Sequence, residues 1–138
     1  MRWSMTLVAV GFALLCAPAV AHHSYTDLYL ESDSIEIEGT VVEFQYRNPH
    51  SWIHVAGQEG ASGIEKLYAA EWVSTSQLER EGIGRSFFRP GDRVRLWGSP
   101  ARNPNDNRVH MKRLRRPDGW EWRPRRPAAP ATAAPTAR

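Results

Sequence analysis

Apolar and polar residues alternate with a period of two along much of this chain, which is the mark of half-buried strands. Ile35 and Ile37 alternate with Glu36 and Glu38, after which Val42, Phe44 and Tyr46 share one face and Glu43 and Gln45 the other, predicting a first strand over 35–46. Gly39 interrupts it and shifts the apparent phase, as a glycine does where a small barrel bends or bulges. Arg47-Asn48-Pro49 ends the strand, because proline donates no backbone hydrogen bond and biases its predecessor toward extended geometry. A second strand over 50–56 puts Ile53 and Val55 on one face and His50, Trp52 and His54 on the other. A glycine-containing hairpin loop, Gln58 to Gly63, leads to a third strand over 66–73 with Tyr68, Ala70 and Trp72 on a common face.

The period then changes. Ser76 with Glu79 and Ser74 with Gln77 are overlapping capping boxes, and Gly82 suits a left-handed stop, so 74–82 predicts a short helix. Pro90-Gly91 fits the centre of a type II turn and feeds a fourth strand over 93–98, with Val94 and Leu96 inward. Ser99 to Asn107 is a Pro/Asn-rich hairpin loop before a fifth strand over 108–114 carrying Val109 and Met111 on one face.

Three strands, one short helix and two strands predict an all-β fold with one short helix, a five-stranded OB-like barrel in the order β-β-β-α-β-β. A small β-sandwich is the alternative, though it usually needs about seven strands. The chain divides into a signal segment (1–21), an extended N-terminal segment (22–34), the barrel (35–115) and a Pro/Ala/Arg-rich tail (116–138) read as disordered or polyproline-like. Within that tail, Trp120 and Trp122 either cover one end of the barrel or await a partner.

Arg2, the apolar stretch Met5 to Cys16 and the small residues Ala19 and Ala21 have the layout of a secretory signal cleaved between Ala21 and His22. The apolar run is too short to stay as a membrane span, so no stable transmembrane segment is expected. A lipoprotein signal is the rival reading of Leu14-Leu15-Cys16, but Leu15 is bulky for the position before such a cysteine. Cleavage implies a periplasmic or secreted protein. It also removes the single cysteine, Cys16, and with it disulfide, thiolate-ligand and cysteine-nucleophile chemistry. Charge is uneven: 8 Lys/Arg face 13 Asp/Glu from His22 to Asn107, and 9 face 2 from Arg108 to Arg138. In an exported chain a basic end suggests an envelope protein or an anionic surface rather than nucleic acid, or simply a solvated tail.

Five histidines, His22, His23, His50, His54 and His110, are the residues with metal chemistry. After cleavage His22 carries a free α-amine, which with its own ring Nδ1 closes a chelate. The amine titrates near pH 8, so giving up its proton to a metal at neutral pH costs only about 1 kcal/mol. One further imidazole completes an all-nitrogen T-shaped set that suits Cu(II). His50 is the first candidate for it and His54 the second. A competing mode uses the amine with the amide and ring of His23 and needs no fold. The plainer reading is a frayed terminus, a His50 that only ties its loop, an exposed His54 and a structural or solvated His110. Hydrolytic chemistry lacks support, since Ser24, Ser51 and Ser74 lie in no nucleophile elbow and Glu71 has no partner carboxylate at a fixed spacing. Phosphate loops and CxxC pairs are absent as well. The sequence thus favours a single copper ion held for storage, delivery or sensing rather than for catalysis. The alternative is a metal-free OB-type module binding a ligand or protein through Trp52, Tyr68, Trp72 and Trp97.

His22-His23-Ser24-Tyr25, Gly39-Thr40-Val41, Asn48-Pro49-His50-Ser51-Trp52, Glu71-Trp72 and Pro90-Gly91-Asp92-Arg93-Val94 together resemble the DUF6152 family of small exported bacterial proteins over about residues 22–115. The resemblance implies the fold and the compartment but no activity. Arg102-Asn103-Pro104-Asn105-Asp106 departs from it, standing where such proteins tend to have a short Asp-Gly turn.

Overall fold

The computed structural model of the chain describes residues 24–61 and 63–125. In order these form α1 (Tyr25–Leu28), β1 (Ile35–Gln45), β2 (Trp52–Glu59), β3 (Lys66–Glu71), α2 (Thr75–Arg80), β4 (Arg93–Pro100), β5 (Arg108–Arg115) and β6 (Glu121–Trp122). The sheet runs β3-β2-β1-β4-β5-β6, and a parallel pairing of β3 with β5, from Ala69↔Arg108 to Glu71↔His110, closes the first five strands into a barrel. The expected five-stranded barrel with a helix between its third and fourth strands is therefore present. The segment before β1, expected to be extended, contains the additional one-turn helix α1.

Alternate residues of each strand fill the interior. Ile37 and Val41, Ile53 and Val55, Tyr68 and Ala70, Val94 and Leu96, and Val109, Met111 and Leu114 are all buried in one cluster. The phase of β1 slips later than the sequence suggests. Gly39 stays in register opposite Gly57, and the shift comes between Val41 and Glu43, where two residues of β1 face one of β2. Val41 is consequently buried and Val42 exposed, so Val42 does not share the half-buried side of Phe44 and Tyr46. Gly39 answers a different need: a Cβ there would sit 2.3 Å from the Ala56 carbonyl oxygen and 2.6 Å from Gly57 Cα, so only glycine permits this approach of β1 to β2.

Of the two overlapping capping boxes, Ser74 with Gln77 forms, the Ser74 N–H reaching Gln77 Oε1 at 3.4 Å. Gly82 at φ +76° lets the chain leave α2 in a left-handed turn. Leu78 is fully buried and joins Ile83 and Phe88 in the barrel's core cluster. Residues 116–125 extend the folded unit past the boundary expected at 115. A turn at Gly119 (φ +92°) returns the chain along β5, and β6 pairs with Leu114 and Arg115, the part of β5 beyond its contact with β3. Trp122 is buried edge-on against Trp72, with ring centroids 5.2 Å apart at 80°. Residues 126–138 of the tail lie outside the described residues. Among the described residues no helix is long and apolar enough to cross a membrane.

Candidate functional site

Side chains with acid-base chemistry gather over the seam where β3 meets β5. Glu71 and His110 are direct partners across that seam, so barrel closure places them side by side. By the two-residue period, Glu71 lies on the opposite side of β3 from the core residues Tyr68 and Ala70. It is nevertheless buried, because the segment before β1 crosses above it. That segment is tied to the β4–β5 loop. Leu30 donates its N–H to the Pro100 carbonyl (2.9 Å), Arg102 donates its backbone N–H to the Leu28 carbonyl (2.9 Å), and Arg102 Nε donates to the Thr26 carbonyl (2.7 Å). The loop that departs from the family pattern thus anchors α1.

His50 arrives from the other side. Asn48 Oδ1 accepts hydrogen bonds from the N–H (3.1 Å) and hydroxyl (2.9 Å) of Thr75 at the start of α2. Ser51 donates its N–H to the Val73 carbonyl (3.0 Å) and its carbonyl accepts from the Trp72 N–H (2.8 Å). The Asn-Pro-His turn is thereby held between α2 and the end of β3, with the His50 ring at Glu71.

Four side chains then form one connected network. The hydroxyl of Tyr29, a fully buried residue, donates to Glu71 Oε2 at 2.5 Å. Glu71 Oε1 lies 2.5 Å from His50 Nδ1, and the Tyr25 hydroxyl lies 3.2 Å from His50 Nε2. Burial, then the charges of Glu71 and Glu31, push the Tyr25 phenol up to about 12. Burial, then the hydrogen bond to Glu71, push Tyr29 up further still. Both phenols therefore keep their protons at neutral pH. A ring with its proton on Nδ1 fits both contacts, Nδ1–H facing a Glu71 oxygen and Nε2 facing the Tyr25 hydroxyl.

The Tyr25 ring lies flat on His110, with centroids 3.7 Å apart and planes within 3°, and is also stacked against His50 at 5.6 Å. His110 Nδ1 is 2.7 Å from Glu31 Oε1, and Lys112 Nζ donates to Glu31 Oε2. Burial holds the His110 imidazole below its ordinary pKa, although the hydrogen bond to Glu31 pulls the other way. Burial alone would raise Glu31, but hydrogen bonds from Lys112 and His110 outweigh it and hold the carboxyl below its usual range.

Of the four histidines weighed as ligands, His50 is oriented within this network, while His22 and His23 lie outside the described residues. His54 stands four residues further along, about 13 Å of extended chain. It pairs with Glu43 and Ala69, and among the described residues it makes no hydrogen bond to the network. His110 takes the neighbouring place instead. Among the described residues no group of three or more His, Cys, Asp or Glu converges to hold a metal ion. The four aromatics weighed as a stacking surface separate: Tyr68 and Trp72 are in the core, while Trp52 and Trp97 are half-exposed. Trp52 pairs with Gln45 and Trp97 with Glu36, nine residues apart along β1, or up to about 30 Å.

The sequence gives no reason to place Tyr25, Tyr29 or Glu31 in a site, and it reads His110 as structural or solvated and Glu71 as lacking a partner carboxylate. Glu71 offered one signal, a lone carboxylate between the core positions Ala70 and Trp72. Its partners come from residues 21 to 42 positions away and follow only from closure of the barrel.

Residues 11–110 match the model of a family described as a family of unknown function, DUF6152. No curated protein and no solved structure matches the chain.

Proposed function

The chain belongs to the DUF6152 family, and from that premise and the geometry of the seam we propose that it is an exported barrel that binds one copper ion through its mature N-terminus and His50. The observation that carries the reading is the Glu71 clamp on His50. A metal-ligating histidine characteristically donates its second ring N–H to a carboxylate, which fixes ring orientation and raises the basicity of the ligating nitrogen. Here Glu71 holds Nδ1 at 2.5 Å, the buried Tyr29 holds Glu71, and Nε2 faces the Tyr25 hydroxyl at 3.2 Å.

Nε2 is turned toward Tyr25, and Tyr25 lies three positions after His22. Three residues span at most about 11 Å, so the terminal amine and the His22 imidazole are within covalent reach of Nε2 once the Tyr25 hydroxyl yields its place. Amine, His22 Nδ1 and His50 Nε2 make the all-nitrogen set that favours Cu(II). His23 supplies the competing peptide-like mode. The metal-free reading gains less support, because two of its four aromatics are core and the other two stand far apart along β1. Binding for storage, delivery or sensing fits a site whose neighbours are phenols and carboxylates already bonded to one another.

The test is a Cu(II) titration, followed by calorimetry, of the chain beginning at His22 in wild-type, His50→Ala and Glu71→Gln forms. His50→Ala should weaken binding by more than tenfold and Glu71→Gln by about 10-fold to 100-fold, the usual effect of losing a carboxylate behind a ligating histidine. Unchanged affinity in His50→Ala would assign the copper to the His23 mode and remove the barrel from the site.

A further inference from the structure

On the barrel's outer surface, remote in register from the His50 turn, residues of three adjacent strands align in rows. Glu38, Arg95 and Arg115 are direct cross-strand neighbours on β1, β4 and β5, and Glu36, Trp97 and Arg113 form the next row. Arg93 precedes Arg95 on the same face, and Arg116 follows at the end of β5. Between these side chains lies a cleft of about 390 Å³ bounded by Arg93, Arg95, Arg115, Arg116, Glu38 and Pro117. That volume is at the small end of the range for ligand sites.

The charge arrangement is unfavourable for the protein alone. Like charges directly opposite each other on an antiparallel pair are destabilising, and Arg95 faces Arg115 in that way. Glu38 relieves only one side: its carboxylate is shared by Arg95 (2.8 Å) and Arg93 (3.5 Å). Glu36 meets Arg95 at 3.4 Å and also accepts from Trp97 Nε1 at 2.9 Å. Arg116 has Asp118 at 3.0 Å. Among the described residues Arg115 has no carboxylate within 4 Å, because Glu121, its neighbour on β6, is taken by Arg113 and Arg123. Four guanidiniums thus border a cleft with one lining carboxylate, and the least compensated of them stands at its wall.

We propose that this cleft binds a phosphate-bearing ligand. Guanidiniums converging from separate backbone positions suit a tetrahedral oxyanion, whose several oxygens accept from different directions, better than a flat carboxylate. The ligand bridges Arg95 and Arg115 and removes their repulsion. Glu38 opposes the anion and at the same time orients Arg93 and Arg95 along the rim, so the affinity depends on Arg115. Two sources carry the same chemistry: a soluble phosphate ester and the glycerophosphate headgroup of an anionic lipid.

The full chain is titrated at low ionic strength with sn-glycerol 3-phosphate, and separately with vesicles of phosphatidylglycerol against vesicles of phosphatidylcholine. Binding is expected in at least one arm, and the responding arm identifies the source. Arg115→Gln should weaken it at least tenfold. Lys66→Gln, an exposed change at the start of β3, and Arg125→Gln, beyond β6, should leave it within twofold. The thermal midpoint of Arg115→Gln should equal or exceed that of wild type, since the change relieves the repulsion with Arg95. Absence of binding in both arms, equal losses in the two control variants, or a lowered midpoint in Arg115→Gln would each overturn the proposal.

Discussion

The network around His50 depends on a hydrogen bond that a double-mutant cycle can isolate, between the Tyr29 hydroxyl and Glu71. Tyr29 is fully buried, Glu71 is 7% exposed, and their oxygens are 2.5 Å apart. A hydrogen bond to a charged, desolvated group contributes about 1.5–3 kcal/mol, against about 0.5–1.5 kcal/mol for a neutral one. Tyr29→Phe removes only the donor and should destabilise the barrel by about 2 kcal/mol. Glu71→Gln removes the charge from both the Tyr29 and His50 contacts and should cost about 2–4 kcal/mol. In the Glu71→Gln background the Tyr29 hydroxyl has only a neutral acceptor, so Tyr29→Phe should then cost about 1 kcal/mol and the coupling energy should be about 1 kcal/mol. Urea unfolding of wild type, both single variants and the double variant measures it. Costs that add to within about 0.5 kcal/mol would refute the clamp, because independent sites behave in that way.

Two further outcomes follow from the same contacts. Because burial lowers the His110 pKa in the folded state, the unfolded chain takes up that proton first as pH falls; the stability contribution is complete above about pH 6.5 and declines below it. Glu31, held below its ordinary value of 4.5, keeps its contribution until lower pH. Urea midpoints at pH 7.5 and 5.5 should therefore differ more in wild type than in His110→Gln, and equal differences would count against a half-buried, neutral His110. Gly39→Ala would place a methyl 2.3 Å from a backbone oxygen that cannot swing away. It should destabilise by about 1–3 kcal/mol, the usual cost of overpacking, and a neutral result in thermal unfolding would contradict the close approach of β1 and β2.

Strand order and helix position were legible because each depends on local period: Ile53 and Val55, Val94 and Leu96, and the Ser74-to-Gln77 box each declare themselves within a few residues. The slip in β1 was misplaced because a glycine is visible in sequence whereas a bulge is set by pairing. Val41 and Val42 are both good strand residues, and only the register against β2 decides which faces inward. Residues 116–125 have too little apolar sequence to form a period, yet Trp122 finds a place against Trp72 once β5 offers an open edge. The site divides along the same line. His50 was legible from its turn. Glu71, Tyr29 and His110 were not, since one closing pair of strands and a crossing N-terminal segment bring them together from across the chain. His54 shares the expected strand face with His50, but the turn before β2 directs His50 by its own hydrogen bonds and not by the strand's alternation.

The central claim is that copper is held by a free His22 amine together with His50. The direct measurement compares Cu(II) affinity in two otherwise identical proteins, one exported with its own signal and shown by mass to begin at His22, the other carrying a methionine ahead of His22. Moving the α-amine one residue away breaks the chelate with the His22 ring, so the capped protein should bind at least tenfold more weakly. Equal affinity in the two would contradict the account.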